Sequence, residues 1–441
     1  MSSTQPNRKM SNYLLLTHNG RGNMKYSARG RKGESRRPPP TIFHKMRDFL
    51  ENNILAWFFH TWHIKKRCPY PAAAGDSIHT LKNSPGNSFI QLCIAADWAT
   101  GTPQSVFVGG CIGDHDPDYT IHMGDTYYSG ADDEHVENFG AGGKDDFGAW
   151  PRGRFGSFAL TGNHEMFSSG AAYMNMIQDP ERGFGPRLTN GKFAGQPAPF
   201  VCLRTEHWCI LCLDTGYDSL HQEWWRRFFN PHPNNNDLSF PPTMQRWLED
   251  IVDIRNEHRG LVLLTHHQYI TGFTDEEEFQ QPAHYLRSLL PGREIIWING
   301  HEHRFAMYRK YQPSPSDVAA WVRCIGNGGM VDEHLPKRHV DPAKADRGLE
   351  WYDNRVADVF HFDLRESLKV GYNGYAQLTI HDKALEITYW AAYWNGEPRN
   401  LKYHDKIITE FWRADNATGM ISRLGFVDHT IKDGRSGLEH L

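Results

Sequence analysis

Short runs of apolar residues recur from about residue 86 onward, and polar or helical stretches separate them. We predict strands at these runs: 89–96, 119–123, 157–160, 200–203, 208–213, 261–264, 294–298 and 321–325. Between them, the segment 243–257 places Trp247, Leu248, Ile251 and Ile254 on one helical face. Strands that alternate with helices in this way indicate a layered α/β domain.

Near the end of this region, residues 375–394 alternate between apolar and polar positions around His381, Asp382 and Lys383. That pattern predicts a β-hairpin that closes the domain. Residues 397–441 show little periodicity, and we assign them to a C-terminal extension. The main domain is therefore placed at residues 86–396.

The first 85 residues differ from this domain in composition. Residues 1–41 are rich in Gly, Ser, Asn and basic residues and end near three prolines, which predicts a flexible basic arm. Residues 42–66 carry apolar side chains at helical spacing, so we predict an amphipathic helix within a segment, 42–85, that ends as a linker. This helix either docks on the domain or lies on a membrane interface, so a peripheral membrane or protein contact through residues 1–66 is an expectation.

Charge and cysteine content limit the ligands and the cellular compartment that we expect for this chain. The 441-residue chain has a formal net charge of −4, but residues 1–41 hold nine basic residues and one acidic residue, which leaves −12 on the remaining 400. A body this acidic is a poor general binder of nucleic acid. Seven cysteines, with no secretory segment before them, favour a reducing compartment. We expect a cytoplasmic protein, with membrane association through the N-terminal segment as the alternative.

Five segments place Asp, Asn or His directly after an apolar run, at the edge where an α/β sheet presents ligand-binding side chains. Alone, each would usually be a turn or cap residue. Together they supply seven oxygen or imidazole donors: Asp97, Asp125, Tyr128, Asn163, His266, His301 and His303. Such donors suit iron, manganese or zinc. Seven donors exceed the needs of one tetrahedral ion and fit two ions that share a carboxylate, an arrangement that assists in-line displacement at phosphorus.

The ordered motifs resemble those of the calcineurin-like metallophosphoesterase superfamily, and within it those of the purple acid phosphatases. In that branch a tyrosine replaces a histidine ligand of the first motif. Here Ala99 stands where that histidine would be, and Tyr128 has the required spacing from Asp125. The resemblance covers about residues 86–396. It implies a four-layer α/β/β/α sandwich of two mixed sheets with flanking helices and a dinuclear metal site at the strand ends.

The same resemblance implies a role for each donor. The ligands of a first metal, ferric iron given the phenolate, would be Asp97, Tyr128 and His303. Asp125 would bridge to a second metal, which would be iron, zinc or manganese. The ligands of that second metal would be Asn163, His266 and His301. His267 and Glu165 would lie behind the ligands or line the substrate pocket.

The implied function is hydrolysis of small phosphate esters, with monoesters favoured. A metal-bridged hydroxide would attack phosphorus in line, and His164 would protonate the leaving oxygen. One alternative is a phosphodiesterase with the same site that acts on a cyclic nucleotide, a nucleic acid or a lipid headgroup. Another is a non-catalytic metal-binding scaffold. The complete donor set together with His164 favours an enzyme.

Overall fold

The computed structural model describes residues 67–72, 77–127, 129–139, 149–219, 238–274, 276–330, 340–361, 366–393, 403–432 and 436–440. The predicted basic arm and amphipathic helix, residues 1–66, lie outside these stretches, and so does Tyr128. What we expect of those residues therefore stays a prediction.

Strands and helices are numbered in chain order. The strands are β1 (Ile78–Thr80), β2 (Ile90–Ala95), β3 (Tyr119–His122), β4 (Gly156–Ala159), β5 (Gly185–Pro186), β6 (Val201–Arg204), β7 (Trp208–Cys212), β8 (Gly260–Thr265), β9 (Glu294–Asn299), β10 (Phe305–Tyr311), β11 (Ala319–Ile325), β12 (Leu349–Tyr352), β13 (Val356–His361), β14 (Glu366–Gly371), β15 (Asn373–His381), β16 (Ala384–Tyr393), β17 (Tyr403–Asp415), β18 (Met420–Asp428) and β19 (Glu439–His440). The helices are α1 (Pro103–Asp114), α2 (Asp132–Phe139), α3 (Asn163–Met166), α4 (Ala171–Gln178), α5 (Pro242–Arg246), α6 (Gln280–Leu289) and α7 (Pro342–Ala345). Among the described residues, no helix is long and apolar enough to cross a lipid bilayer.

Most of these strands belong to two mixed sheets. The first sheet has the order β1-β6-β7-β8-β9-β11-β10-β12-β19, and the second has the order β18-β17-β16-β15-β2-β3-β4-β5. Strands β7, β8, β9 and β11 run parallel in the first sheet, and β2, β3 and β4 run parallel in the second. Strands β13 and β14 form a separate hairpin.

The two sheets pack face to face around one apolar core. Ile94 and Ile121 of the second sheet meet Val262 and Ile296 of the first sheet there, and all four side chains are fully buried. Removing this much apolar surface from water is the main force that holds the two sheets together.

Helices cover the outer face of each sheet. Leu286 of α6 packs against the first sheet, and Val108 of α1 and Ile177 of α4 pack against the second. The order of layers is helix, sheet, sheet, helix, so the predicted α/β/β/α fold is confirmed.

The helix predicted over residues 243–257 forms only in part. After α5, the chain widens into a π-helical turn at Trp247–Ile251, where the Val252 amide donates to the carbonyl of Trp247. This extra residue per turn rotates the apolar face, which leaves Ile251 46% exposed although Trp247 is buried. Asp253, at φ +54°, then ends the helical path.

The C-terminal residues complete the second sheet. The predicted hairpin is formed by β15 and β16, with Asp382 in the turn at φ +53°. Strand β17 then pairs with β16, and β18 pairs with β17. Residues 403–428 of the predicted C-terminal extension therefore form backbone hydrogen bonds with the sheet of the main domain.

The parallel strands of both sheets end at one common edge. In the second sheet Ala95 of β2 lies level with His122 of β3, and in the first sheet Thr265 of β8 lies level with Asn299 of β9. Backbone contacts join the two edges, since the Gly328 amide donates to the carbonyl of Ala96 at 3.0 Å. The loops that follow these strands therefore converge.

Candidate metal centre

Two buried carboxylates lie at the centre of this edge. Asp97 follows β2 and is 0% exposed, and Asp125 follows β3 and is 1% exposed. Both have left-handed backbone, with φ values of +57° and +71°. The Asp97 amide donates to the carbonyl of Gly124 at 3.0 Å, which ties the two loops together. This strained backbone brings both carboxylates into one place.

Tyr127 lies between the two carboxylates. Its hydroxyl donates to Asp97 Oδ1 at 2.7 Å and lies 3.2 Å from Asp125 Oδ2. The same hydroxyl is 2.8 Å from Nε2 of His303. The Tyr127 amide donates to the carbonyl of Ala99, so the first two motifs jointly position this ring.

His266 approaches the carboxylates from the first sheet. Its Nδ1 contacts the carbonyl of Met123 at 3.0 Å, and its Nε2 lies 3.2 Å from Asn163 Oδ1 and 3.3 Å from Asp125 Oδ2. Because a carbonyl only accepts, Nδ1 carries the proton and the lone pair of Nε2 points into the site.

His301 and His303 follow β9. The His301 amide donates to Asp97 Oδ2 at 2.9 Å, and its ring centroid is 5.2 Å from that of His266. His303 Nε2 lies 3.6 Å from Asp97 Oδ1. His301 is the third predicted ligand with left-handed backbone, at φ +69°. All six described donors of the predicted set therefore lie close together at the common edge of the two sheets.

Helix α3 begins with Asn163, His164 and Glu165. The His164 amide donates to Asp125 Oδ1 at 2.9 Å, and His164 Nε2 lies 3.7 Å from Asp125 Oδ2. Glu165 is fully buried and accepts from the amides of Gly162 at 2.8 Å and Asp125 at 3.3 Å. Glu165 therefore connects the loop of Gly162 to the loop of Asp125. The His164 side chain, in contrast, is 21% exposed.

The neighbour of His266 has a different environment. His267 is buried, and Thr215 Oγ1 accepts from its backbone amide at 3.0 Å and lies 3.0 Å from its Nδ1. Its ring centroid is 4.6 Å from that of His301. His266, His267 and His301 each offer a nitrogen within 4.8 Å of the others, so His267 is close enough to affect the ligands.

The carboxylate, amide and imidazole atoms of this site are close enough together to bind a cation. Asp97, Asp125 and His266 offer three ligand atoms that lie within 4.8 Å of one another. With one proton of His266 on Nδ1, its Nε2 faces Asn163 Oδ1 and a carboxylate oxygen, so this nitrogen and the oxygens meet where a positive charge, either a second ring proton or a metal ion, is stabilised. A positive ion is what such an arrangement stabilises, and carboxylate, amide and imidazole donors suit iron, zinc or manganese.

Burial and neighbouring charges together shift the pKa values of these side chains. Burial alone would raise the pKa of Asp125, but the neighbouring imidazoles of His266 and His164 lower it well below its usual range. Burial alone would lower the pKa of His266, but Asp125 and Asp97 raise it to about 10. Burial and the charge of His266 lower the pKa of His301 to about 3. The cluster favours added positive charge next to its carboxylates.

Sequence reasoning missed Tyr127. The tyrosine spacing of the resembled branch selected Tyr128, which lies outside the described residues and stays a prediction. Among the described residues, the hydroxyl of Tyr127 lies beside the predicted ligands. The signal was present, because Tyr127 belongs to the same short motif. The supporting contact of Thr215 with His267 had no comparable signal in the sequence.

A family model accounts for these motifs. Residues 104–305 match the model described as calcineurin-like phosphoesterase. This stretch is therefore similar to the calcineurin-like phosphoesterases. The matched region contains every described donor except Asp97. Metal-dependent hydrolysis of phosphoesters is the chemistry of this phosphoesterase domain, and the protein is a metal-dependent hydrolase.

Several solved structures are similar to this chain. No curated protein matches it. The structure of PhoD is similar over 80% of this chain and 74% of its own, with 12% identity and a TM-score of 0.46. GAP50, described as the anchor in the inner membrane complex of Plasmodium, covers 72% of this chain and 88% of its own, with 10% identity and a TM-score of 0.41. Purple acid phosphatase PPD1 from yellow lupin covers 72% of this chain and 54% of its own, with 15% identity and a TM-score of 0.39.

Proposed function

We propose that the domain hydrolyses small phosphate monoesters, with His164 as the general acid. The observation that supports this role is the position of the His164 ring, partly exposed at the mouth of the site and 3.7 Å from a buried carboxylate oxygen of Asp125. The ring also lies beside Tyr127 and Phe167, at centroid distances of 4.5 and 5.2 Å. An imidazole held this way can reach the leaving oxygen of a bound ester.

In this proposal, Asp97, His303 and the hydroxyl of Tyr127 hold one metal ion, and Asn163, His266 and His301 hold the other. Asp125 contacts both groups of donors. We propose iron at the tyrosine side and iron, zinc or manganese at the other. When bound, such ions lower the pKa of water and offset negative charge on the phosphoryl group.

The other residues have supporting roles. Glu165 fixes the backbone of Asp125 and Gly162, and Thr215 fixes His267. Gly162 is required at its position, because a Cβ there would meet Asp125 Oδ1 at 2.0 Å. The partner is then a small phosphorylated substrate, and we propose a cytoplasmic enzyme whose residues 1–66 contact a membrane or another protein.

The experiment replaces the proposed acid and varies the leaving group. His164→Ala should slow hydrolysis of an alkyl ester, glycerol 2-phosphate, by about 10²–10⁴-fold, because a poor leaving group needs a proton. Hydrolysis of p-nitrophenyl phosphate should fall much less, since nitrophenolate leaves unaided. The exposed His258, replaced by Ala, is the matched control.

Equal losses on both esters would refute the acid role. The preference for monoesters is tested with bis(p-nitrophenyl) phosphate. If the wild-type enzyme cleaves this diester faster than p-nitrophenyl phosphate, the phosphodiesterase alternative replaces the monoesterase.

A further inference from the structure

Residues 67–70 form a short segment that joins two loops beside the candidate acid. This segment precedes β1 and has no helix or strand of its own. Its backbone and side chains contact the loop after α3 and the loop after β7. Both loops flank α3, which carries Asn163 and His164.

The first contact is with the loop that continues from His164. The Cys68 amide donates to the carbonyl of Ser169 at 3.0 Å. Ser169 lies at φ +77°, two residues after Phe167, whose ring edge contacts the His164 ring. The backbone hydrogen bond therefore restrains the chain that determines where the His164 ring can lie.

The second contact is with residues 214–218. Tyr217 donates its hydroxyl proton to the carbonyl of Cys68 at 2.6 Å, and Arg67 pairs with Asp218 at 2.7 Å. The Tyr217 ring also packs edge-on against Tyr70, at a centroid distance of 4.6 Å. Backbone and side chains thus fasten the segment at three points.

The loop 214–218 itself touches the metal centre. A Cβ at Gly216 would meet the carbonyl of Gly162 at 2.4 Å, so the loop packs directly against the turn before Asn163. Thr215 of the same loop accepts from the His267 amide. Asp214 stabilises the loop by accepting from the amides of Gly216 and Tyr217 at 2.8 and 3.0 Å.

We propose that residues 67–70 hold these two loops together and thereby position His164, with Tyr217 as the positioning residue that anchors the segment. Loss of the anchor leaves the metal donors in place, because β2, β3, β8 and β9 carry most of them. It loosens the Phe167–Gly170 loop and with it the His164 ring. The inference rests on the proposed acid role of His164, because its kinetic effect is exerted through that residue.

Tyr217→Phe tests this in the full-length enzyme. The substitution removes the hydroxyl and keeps the ring against Tyr70. Since a hydrogen bond is worth about 1 kcal/mol, we expect kcat for glycerol 2-phosphate to fall about three- to tenfold, with KM unchanged. For p-nitrophenyl phosphate, kcat should change by less than about twofold, because this ester needs no acid.

The matched control is Tyr285→Phe. Tyr285 donates its hydroxyl to Glu249 Oε1 at 2.8 Å and lies 3.2 Å from the carbonyl of Gln245, but it lies on α6 at the outer face of the first sheet. This variant should hydrolyse both esters like the wild type. Equal loss on both esters in Tyr217→Phe, or no loss on either, would overturn the proposal.

A charge exchange gives a second test. Arg67→Asp and Asp218→Arg each place like charges together, so each should show the same selective loss on the alkyl ester. The double variant restores the pair and should recover most of the wild-type rate. If the double variant is as slow as the single variants, the pair does not fasten the segment.

Amide hydrogen exchange separates this inference from the proposed function. In Tyr217→Phe, the Cys68 amide should exchange faster than in the wild type and in Tyr285→Phe, whatever the substrate is. If His164→Ala loses activity equally on both esters, the acid role of His164 fails. Amide exchange at Cys68 alone then tests the role of residues 67–70. Unchanged exchange at Cys68 would then overturn the role of the segment as well.

Discussion

Individual residues at the metal centre are held in backbone conformations that non-glycine residues rarely adopt. Asp97, Asp125 and His301 all have positive φ, between +57° and +71°. Each such residue costs about 1–3 kcal/mol, so the surrounding contacts must stabilise them. Glu165 does this for Asp125 by accepting its amide. The strain turns the side chains of three of the five motifs toward one point.

The hydroxyl of Tyr127 is a second feature at the residue scale. Burial, together with Asp97 and Asp125, raises the pKa of Tyr127 well above its usual range, so its phenol stays protonated until a cation displaces the proton. Removing its hydroxyl deprives the site of a donor next to both carboxylates.

We therefore expect Tyr127→Phe to lower metal affinity by about 10–100-fold, with activity following metal content. Tyr128→Phe should keep both close to the wild-type values. Metal analysis of the purified variants, with a visible absorption spectrum for a ferric–tyrosinate band, checks this. If Tyr128→Phe lowers metal affinity and Tyr127→Phe does not, the ligand is Tyr128, as the sequence resemblance predicts.

At the scale of elements, helix α2 carries a buried histidine. His135 is 4% exposed, and neither ring nitrogen has a hydrogen-bond partner among the described residues. Its ring packs edge-on against Tyr173 of α4, with the centroids 6.1 Å apart. Burial, with a smaller contribution from Arg182, lowers its pKa to about 3. The native helix therefore holds His135 neutral.

This burial predicts how stability depends on pH. In the unfolded chain His135 has its ordinary pKa of about 6.5, so below that pH the unfolded state binds a proton that the native state excludes. Stability is lost as the pH falls from 6.5 toward 3, by about 2 kcal/mol at pH 5 from this residue.

His135→Phe removes this dependence. The free energy of unfolding in urea should then decrease by about 1–2 kcal/mol less between pH 7 and pH 5 than it does in the wild type. His258→Phe, at an exposed position, is the control and should leave the difference unchanged. An identical pH dependence in His135→Phe and the wild type would contradict the prediction.

At the scale of the whole molecule, one buried ionic group connects the two sheets. Glu410 of β17 accepts from Arg323 of β11 at 2.6 and 2.7 Å, and both side chains are fully buried. Tyr389 donates to the same carboxylate at 2.9 Å, and Arg423 lies 2.9 Å from it. The C-terminal strands are therefore part of what holds the sandwich closed.

Glu410→Gln should destabilise the protein strongly. The substitution leaves the Arg323 guanidinium buried without its counter-charge, which costs about 3–5 kcal/mol. Chemical denaturation measures the loss. Glu181→Gln breaks only an exposed pair with Lys192 and should have no measurable effect. A loss in Glu410→Gln no larger than in this control would show that the network does not support the fold.

Periodicity and strand-end chemistry predicted most of the architecture. The eight predicted strands correspond to β2, β3, β4, β6, β7, β8, β9 and β11, because fully buried strands appear as continuous apolar runs. The edge strand β18 and its neighbour β17 were missed. In β18, exposed Met420 and Leu424 alternate with buried or partly buried Ile421 and Arg423, and a bulge interrupts the pattern.

The sequence by itself determined which residues meet at the candidate metal centre, since Asp97, Asp125, Asn163, His266, His301 and His303 each follow a strand and the fold brings parallel strand ends together. Only the tertiary structure decided that Tyr127 lies among these donors, that Glu410 joins the sheets and that residues 67–70 contact two loops beside His164. Strand ends are specified by local periodicity. Contacts between distant loops depend on side-chain directions and packing, which no local pattern encodes.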